Sequence, residues 1–242
     1  MERPEPDVPP RRPRGHPQCA PDERAISVVF PGLVTRESCY RFTCELLKHI
    51  LHQRFQLPLP YEQLVLFTKK QPAGDDAVRR CGRAEATDSR QCQRAMSDLE
   101  ELLTQLESLF TLTPVPRVLL LLGGSPMNPK EMYEIDMEGV QVGNGEQSLS
   151  ARPCLRQIFR SLFVADPFSD LRSTSLMSLV VMVLAHRDCG TDWFRPKLNF
   201  KVPSRGRALT VRLSCSEAQT LAPGGTDFVW FQAPLTVKGF QN

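Results

Sequence analysis

Apolar residues recur along most of this chain at two spacings, one suited to helices and one to strands. Cys92, Met96, Leu99, Leu103, Leu106 and Phe110 follow one another at intervals of 4, 3, 4, 3 and 4, with Asp98, Glu100, Glu101 and Glu107 on other faces. That spacing predicts an amphipathic helix. The stripe is short and sits inside a globular pattern, so it is read as core packing rather than as a coiled coil. A second helix is predicted from Thr35, a good N-cap, to about Phe55, where "LPLP" ends it. Glu37 there meets the positive end of the helix dipole, and Cys39, Phe42, Leu46, Leu47, Ile50 and Leu51 give it a wide apolar face. A third begins at Ser150, tolerates Pro153 in its first turn, where a missing N–H costs nothing, and closes at Asp166-Pro167.

Strands are predicted at "ISVVF" from Ile26, at "RVLLLL" (Arg117 to Leu122) and at "KEMYEIDM". The second is continuously apolar, as a strand covered on both faces should be; the third alternates, as a half-buried one should. The two look like a hairpin. Three more fall at "MSLVVMVLAH", "ALTVRLSC" and "DFVWFQAPLTVKGF", the last with Pro234 marking an edge or bulge. Helices and strands do not alternate as βαβ units. The grouping predicts an α+β domain, helices laid on one face of a mostly antiparallel sheet.

Two stretches lack either spacing. Residues 1–24 hold seven prolines and almost no large apolar side chain, and are read as a disordered tail ahead of a domain spanning 25–242. Lys69 to Arg90 mixes Gly, Pro and charges and is read as a long mobile loop.

Charge and cysteine content narrow the function. Thirty basic residues face 27 acidic ones for a formal charge of +3, without the one-sided basic footprint of a nucleic-acid binder. Eight cysteines without regular spacing predict a reducing compartment, cytoplasm or nucleus. The longest apolar run, "LMSLVVMVLA" from Leu176, is about half of what a membrane span needs.

Candidate chemistry does not assemble. "HRD" at His186 to Asp188 has no Gly-rich loop or D-F-G to go with it, and "GGSPMNPK" lacks the pattern and the following helix of a phosphate loop. His49 with His52, and His186 with Cys189, are close pairs outside any recognisable metal set. "RPKLNFKVPSRGR" is a weak basic cluster better read as a solvated strand and loop. Trp193-Phe194 reads as a corner plugged into the core or as a docking knob. No catalytic residue, cofactor or metal is expected.

The helix "CLRQIFRSLF" is more suggestive. On a helical wheel Leu155, Ile158 and Leu162 share a narrow sector, Phe159 and Phe163 lie to one side, and Arg156 and Arg160 come beyond them. Aromatics edged by arginine are what protein interfaces enrich, although a wide helical face is also compatible with deep burial.

The runs "VVFPG", "FTCELLKHI", "QLPLPYEQL", "VPRVLLLLGG", "PKEMYEID", "CLRQIFRSLF", "CGTDWFRPKLNFKVPSRG", "LTVRLSC" and "VWFQAPLTVKGF" together resemble the comet family of Mad-two-binding adaptors, from about residue 26 onward. The N-terminal tail and the 69–90 stretch do not share the likeness. The resemblance implies a HORMA-like fold, three helices on a mostly antiparallel β-sheet with a C-terminal seat-belt. It implies a non-enzymatic adaptor that docks on the closed conformer of Mad-two in a pseudo-symmetric HORMA pair. The conformer would then be presented to an AAA+ ATPase, taking the mitotic checkpoint complex apart and silencing the spindle checkpoint. By the same resemblance Gln53 and Phe159 contact Mad-two, and Pro196 and Lys197 dock the ATPase; Arg156, Arg160 and Phe163, which the wheel sets beside Phe159, are expected to join the Mad-two contact. Nucleus, cytoplasm and mitotic spindle or kinetochore are the expected places, with neither nucleic acid nor membrane as partner. A HORMA-type adaptor of meiotic or DNA-repair assembly is the alternative that the fold alone permits.

Overall fold

The computed structural model describes residues 23–70, 83–143, 145, 147–169, 175–216 and 227–240. Its elements run β1 (Glu23–Phe30), α1 (Arg36–Gln53), α2 (Tyr61–Lys70), α3 (Arg83–Leu112), β2 (Arg117–Gly123), β3 (Glu131–Gly139), α4 (Ala151–Ala165), β4 (Ser178–His186), β5 (Arg195–Lys197), β6 (Arg207–Cys215), β7 (Phe228–Gln232) and β8 (Val237–Lys238). One sheet takes all eight strands in the order β1-β6-β3-β2-β4-β7-β5, with β8 also paired to β4. β6 pairs in parallel with β1 and β3; the other pairings are antiparallel, β2 and β3 forming the expected hairpin. The fold is the α+β arrangement predicted, on a mixed sheet.

Side-chain alternation divides the sheet between two cores. Val118, Leu120 and Leu122 of β2, with Leu179, Val181 and Val183 of β4, join the helices in the main core. Leu119, Leu121, Val180 and Met182 form a smaller cluster on the opposite face, closed over by Met132, Phe200 and Trp230. Coverage on both faces is why "RVLLLL" reads as unbroken apolar sequence. β1 stands at an edge, and accordingly alternates buried Ile26, Val28 and Phe30 with exposed Val29.

α1 packs against both α3 and α4, and α4 lies over β1. Thr35 caps α1 as expected, its hydroxyl oxygen accepting from the Ser38 N–H at 3.0 Å. Ser150 is the N-cap of α4 without a side-chain capping bond, and Asp166 ends that helix in the left-handed region.

The end of α1 is built from buried polar groups. Arg54 caps the helix; Phe55 follows with φ 55°, its N–H donating to His52 O at 3.0 Å, and the Gln56 N–H donates to Leu51 O at 2.9 Å. This pair of bonds is a Schellman closure. The Arg54 guanidinium, 1% exposed, donates from Nε and Nη2 to the two Glu131 oxygens at 2.7 and 2.5 Å, and the Tyr133 hydroxyl donates to Glu131 Oε2 at 2.8 Å. Gln56 ties three segments together: its Nε2 donates to Arg54 O, its Oε1 accepts from Met177 N–H at 2.6 Å, and its backbone O accepts from Phe240 N–H at 3.0 Å. The opening helix, the start of β4 and the C-terminal segment therefore meet at one side chain.

Several boundaries depart from the sequence reading. β1 starts at Glu23, inside the stretch read as tail, because strand pairing with Ala208 and Leu209 uses the backbone and is indifferent to charged side chains. Residues 1–22 of that tail lie outside the described residues. Helices occupy both ends of the supposed 69–90 loop: α2 runs to Lys70 and α3 begins at Arg83, while 71–82 lie outside the described residues. The first turns of α3, rich in Ala, Glu, Arg and Gln, carry helix propensity without an apolar stripe, so periodicity misses them. α2 is a fourth helix where three were expected. It is ten residues long, among its described side chains only Leu64 is buried, and Lys48 on α1 bonds to Glu62 at 2.7 Å beside the Tyr61 ring. Along α3 the buried line is Met96, Leu99, Leu102, Leu106 and Leu109 with Phe110, while Cys92 and Leu103 are only half-buried.

Candidate functional site

Two surfaces carry the residues singled out from sequence. On α4 exposure rises steadily around the helix. Ala151, Cys154, Ile158 and Leu162 face the core, Leu155 and Phe159 are half-buried at its margin, and Phe163 (87% exposed), Arg156 and Arg160 face solvent. Leu155, grouped with Ile158 and Leu162 on the wheel, packs against the core only in part, and Cys154 beside it is fully buried. Gln157 donates from Nε2 to Val29 O at 2.8 Å and so fastens α4 to the edge strand.

Phe159 meets α1. Its ring stands edge-on to His49 with centroids 5.1 Å apart; His49 in turn meets Phe168 at 5.8 Å, and Phe168 meets Tyr133 at 6.2 Å. Gln53, half-buried, lies one helical turn beyond His49 on the same face of α1. The structure thus brings Gln53 and Phe159 to adjoining helices, with His49 between them, and continues the surface through Arg156, Arg160 and Phe163. Burial, with His52 nearby, holds the His49 pKa below its ordinary value, so the ring against Phe159 is neutral near pH 7. Sequence reading treated His49 only as a rejected metal ligand. The aromatic residue that reveals its role comes from a helix more than a hundred positions away, and local patterning carries no signal for it.

The second surface is the opposite edge of the sheet. Among the described residues β5 pairs only with β7, Arg195 opposite Gln232, Pro196 opposite Phe231 and Lys197 opposite Trp230, and all three β5 side chains are exposed. The preceding corner anchors this edge. Phe194 is 2% exposed, and Trp193 donates from Nε1 to Glu101 Oε1 on α3 at 2.9 Å. After the strand, Phe200 N–H donates to Lys197 O at 3.1 Å and the Phe200 ring meets Trp230 at 5.8 Å. The aromatic pair is therefore the plugged corner of the two readings, and it fixes Pro196 and Lys197 from one side while Phe200 fixes them from the other.

The remaining motifs take structural places. His186 Nδ1 accepts from Asp188 N–H at 3.2 Å in a turn beside Phe228, and "GGSPMNPK" is the β2–β3 connection, where Gly123 (φ 152°) passes close to Lys130 N. Among the described residues no three His, Cys, Asp or Glu side chains converge to hold a metal. A 390 Å³ apolar cavity opens at the far end of α1, lined by Cys39, Phe110, Val115, Met137, Leu184 and Phe228 among others.

Comparison with known proteins points to one family. The family profile described as "p31comet: Mad1 and Cdc20-bound-Mad2 binding" matches residues 9–242. A protein of Mus musculus named MAD2L1-binding protein is 51% identical over 218 residues, covering 90% of this chain and 79% of that protein. The protein of the same name from Homo sapiens is 51% identical over 224 residues, covering 92% of this chain and 82% of its own length.

Proposed function

The chain belongs to the p31comet family, and from that membership we propose that it is a non-enzymatic adaptor that binds the closed conformer of Mad2 and presents it to an AAA+ ATPase, silencing the spindle checkpoint. The observation that carries the reading is the separation of two prepared surfaces. The α1–α4 face adjoins β1 at one edge of the sheet, and Pro196 and Lys197 occupy β5 at the other. Six inter-strand steps of about 4.8 Å put roughly 30 Å of sheet between them. Each partner then has contact residues of its own, which is what presentation requires and what a single-site enzyme does not need.

Each surface suits a protein partner. Phe159 offers a ring whose position is already fixed by His49, so little is lost in ordering it on binding. Phe163, Arg156 and Arg160 surround it with the exposed aromatic and arginine side chains that interfaces favour. On the other edge Pro196 has no N–H to give an added strand, so recognition there runs through side chains, with the Lys197 ammonium offered to an acidic partner. Remodelling chemistry belongs to the ATPase.

Calorimetry with closed Mad2 tests the first surface. Gln53→Ala with Phe159→Ala should weaken binding about thirtyfold or more, the scale of a central aromatic anchor, while leaving the circular dichroism spectrum unchanged. Unchanged affinity overturns the assignment. Pro196→Ala with Lys197→Ala should leave that affinity alone and stop ATPase-driven release of Mad2; continued release removes the second surface from the account.

A further inference from the structure

Two non-glycine residues among those described have positive φ: Asp166 at 40° and Phe55 at 55°. Asp166 is unremarkable, since a short polar side chain tolerates the left-handed region at a helix end. Phe55 is different. Its position is the one where helices with a Schellman closure ordinarily use glycine or asparagine, and a bulky β-carbon there works against the fold. Burial does not offset this, because Phe55 is 51% exposed.

The conformation is imposed by its neighbours. Arg54 on one side is held by Glu131, and Gln56 on the other, 1% exposed, is held by Arg54 O, Met177 N–H and Phe240 N–H. Whatever residue stands at 55 is clamped into the left-handed region. The side chain is thus an exposed aromatic on an immobile backbone, two residues past Gln53 and at the end of the helix whose His49 supports Phe159. Strain kept at a position with no packing return is a reason to look for function there. A rigid ring with two rotatable bonds binds a partner at small entropic cost.

We propose that Phe55 is a further contact residue for closed Mad2, extending the Gln53–Phe159 surface past the end of α1; this rests on the docking face assigned above. The alternative, a ring that serves only the fold, makes the opposite prediction for a residue that relieves the backbone.

The test uses the full chain with Phe55→Asn and Phe55→Gly, both of which accept the left-handed region, and Phe55→Tyr, which keeps the ring. The first two should melt at or above the temperature of the parent protein and yet bind closed Mad2 about tenfold more weakly by calorimetry; Phe55→Tyr should bind within about twofold of the parent. Parental affinity in Phe55→Asn and Phe55→Gly, alongside lost binding in Phe159→Ala, overturns the proposal and leaves the docking face standing. A melting temperature that falls sharply in both overturns it too, by showing that the ring serves the fold. Parental affinity in Gln53→Ala with Phe159→Ala as well places the docking face elsewhere, and the Phe55 assignment falls with it.

Discussion

Replacing Glu131 by glutamine should destabilise the protein more than any conservative change on its surface. The substitution keeps shape and nearly keeps volume, but it removes the counter-charge of a guanidinium that is 1% exposed and donates two hydrogen bonds to that carboxylate. Burial by itself pulls the Arg54 pKa down, and the bonds and charge of Glu131 outweigh it and raise the value; without the carboxylate the guanidinium stays protonated and is left buried and uncompensated. Breaking a buried pair from one side costs about 3–5 kcal/mol. At about 2–4 °C per kcal/mol for a chain of this size, Glu131→Gln should lower Tm by roughly 6–20 °C. Differential scanning calorimetry with urea titration measures it. The double variant Arg54→Met with Glu131→Gln should regain at least half of the loss, because the unbalanced charge is gone while Tyr133 keeps an acceptor. A loss below about 1 kcal/mol for Glu131→Gln alone would mean that the pair is solvated and the end of α1 is held by something else.

Other expectations follow from the same chemistry. His49, with its folded pKa below the ordinary 6.5, resists a proton that the unfolded chain accepts; stability should be full above about pH 6.5 and decline as pH falls through the lower folded value, and His49→Gln should flatten that decline in urea titrations. Burial pushes the Cys39 and Cys44 thiols up to about 12, so alkylation at about pH 8 read by mass spectrometry should leave both unmodified in the folded chain and label them in urea. Gly239→Ala sets a β-carbon against Gln56 Oε1 and should cost about 1–3 kcal/mol of stability, measurable as a lower urea midpoint.

The sequence reading succeeded where one element announces itself by its own period. β2 and β4 are written in unbroken apolar residues because both their faces are covered, and α1 in a wide apolar face because α3 and α4 press on it from two sides. It failed where structure depends on backbone pairing or on distant partners. Glu23 and Arg24 join a strand through their peptide groups, α2 is too short to show a full stripe, and β5 consists of three exposed residues held by their neighbours. Phe159 could be nominated from the wheel since its flank is a property of one helix. Gln53 entered through family resemblance alone, and its nearness to Phe159 emerges only when α1 and α4 are packed. Arg54, Glu131, Gln56 and Phe240 are scattered over most of the chain, and no local pattern announces that they meet.

Both margins of the sheet are blunted by single side chains: Gln157 occupies the Val29 carbonyl of β1, and Pro196 withholds a donor from β5. An open row of peptide groups is a template for stacking copies into fibrils, and exposed aromatic side chains such as Phe55 and Phe163 add to that hazard. With one acceptor taken on β1 and one donor missing from β5, a strand added at either rim meets an interrupted row of peptide groups.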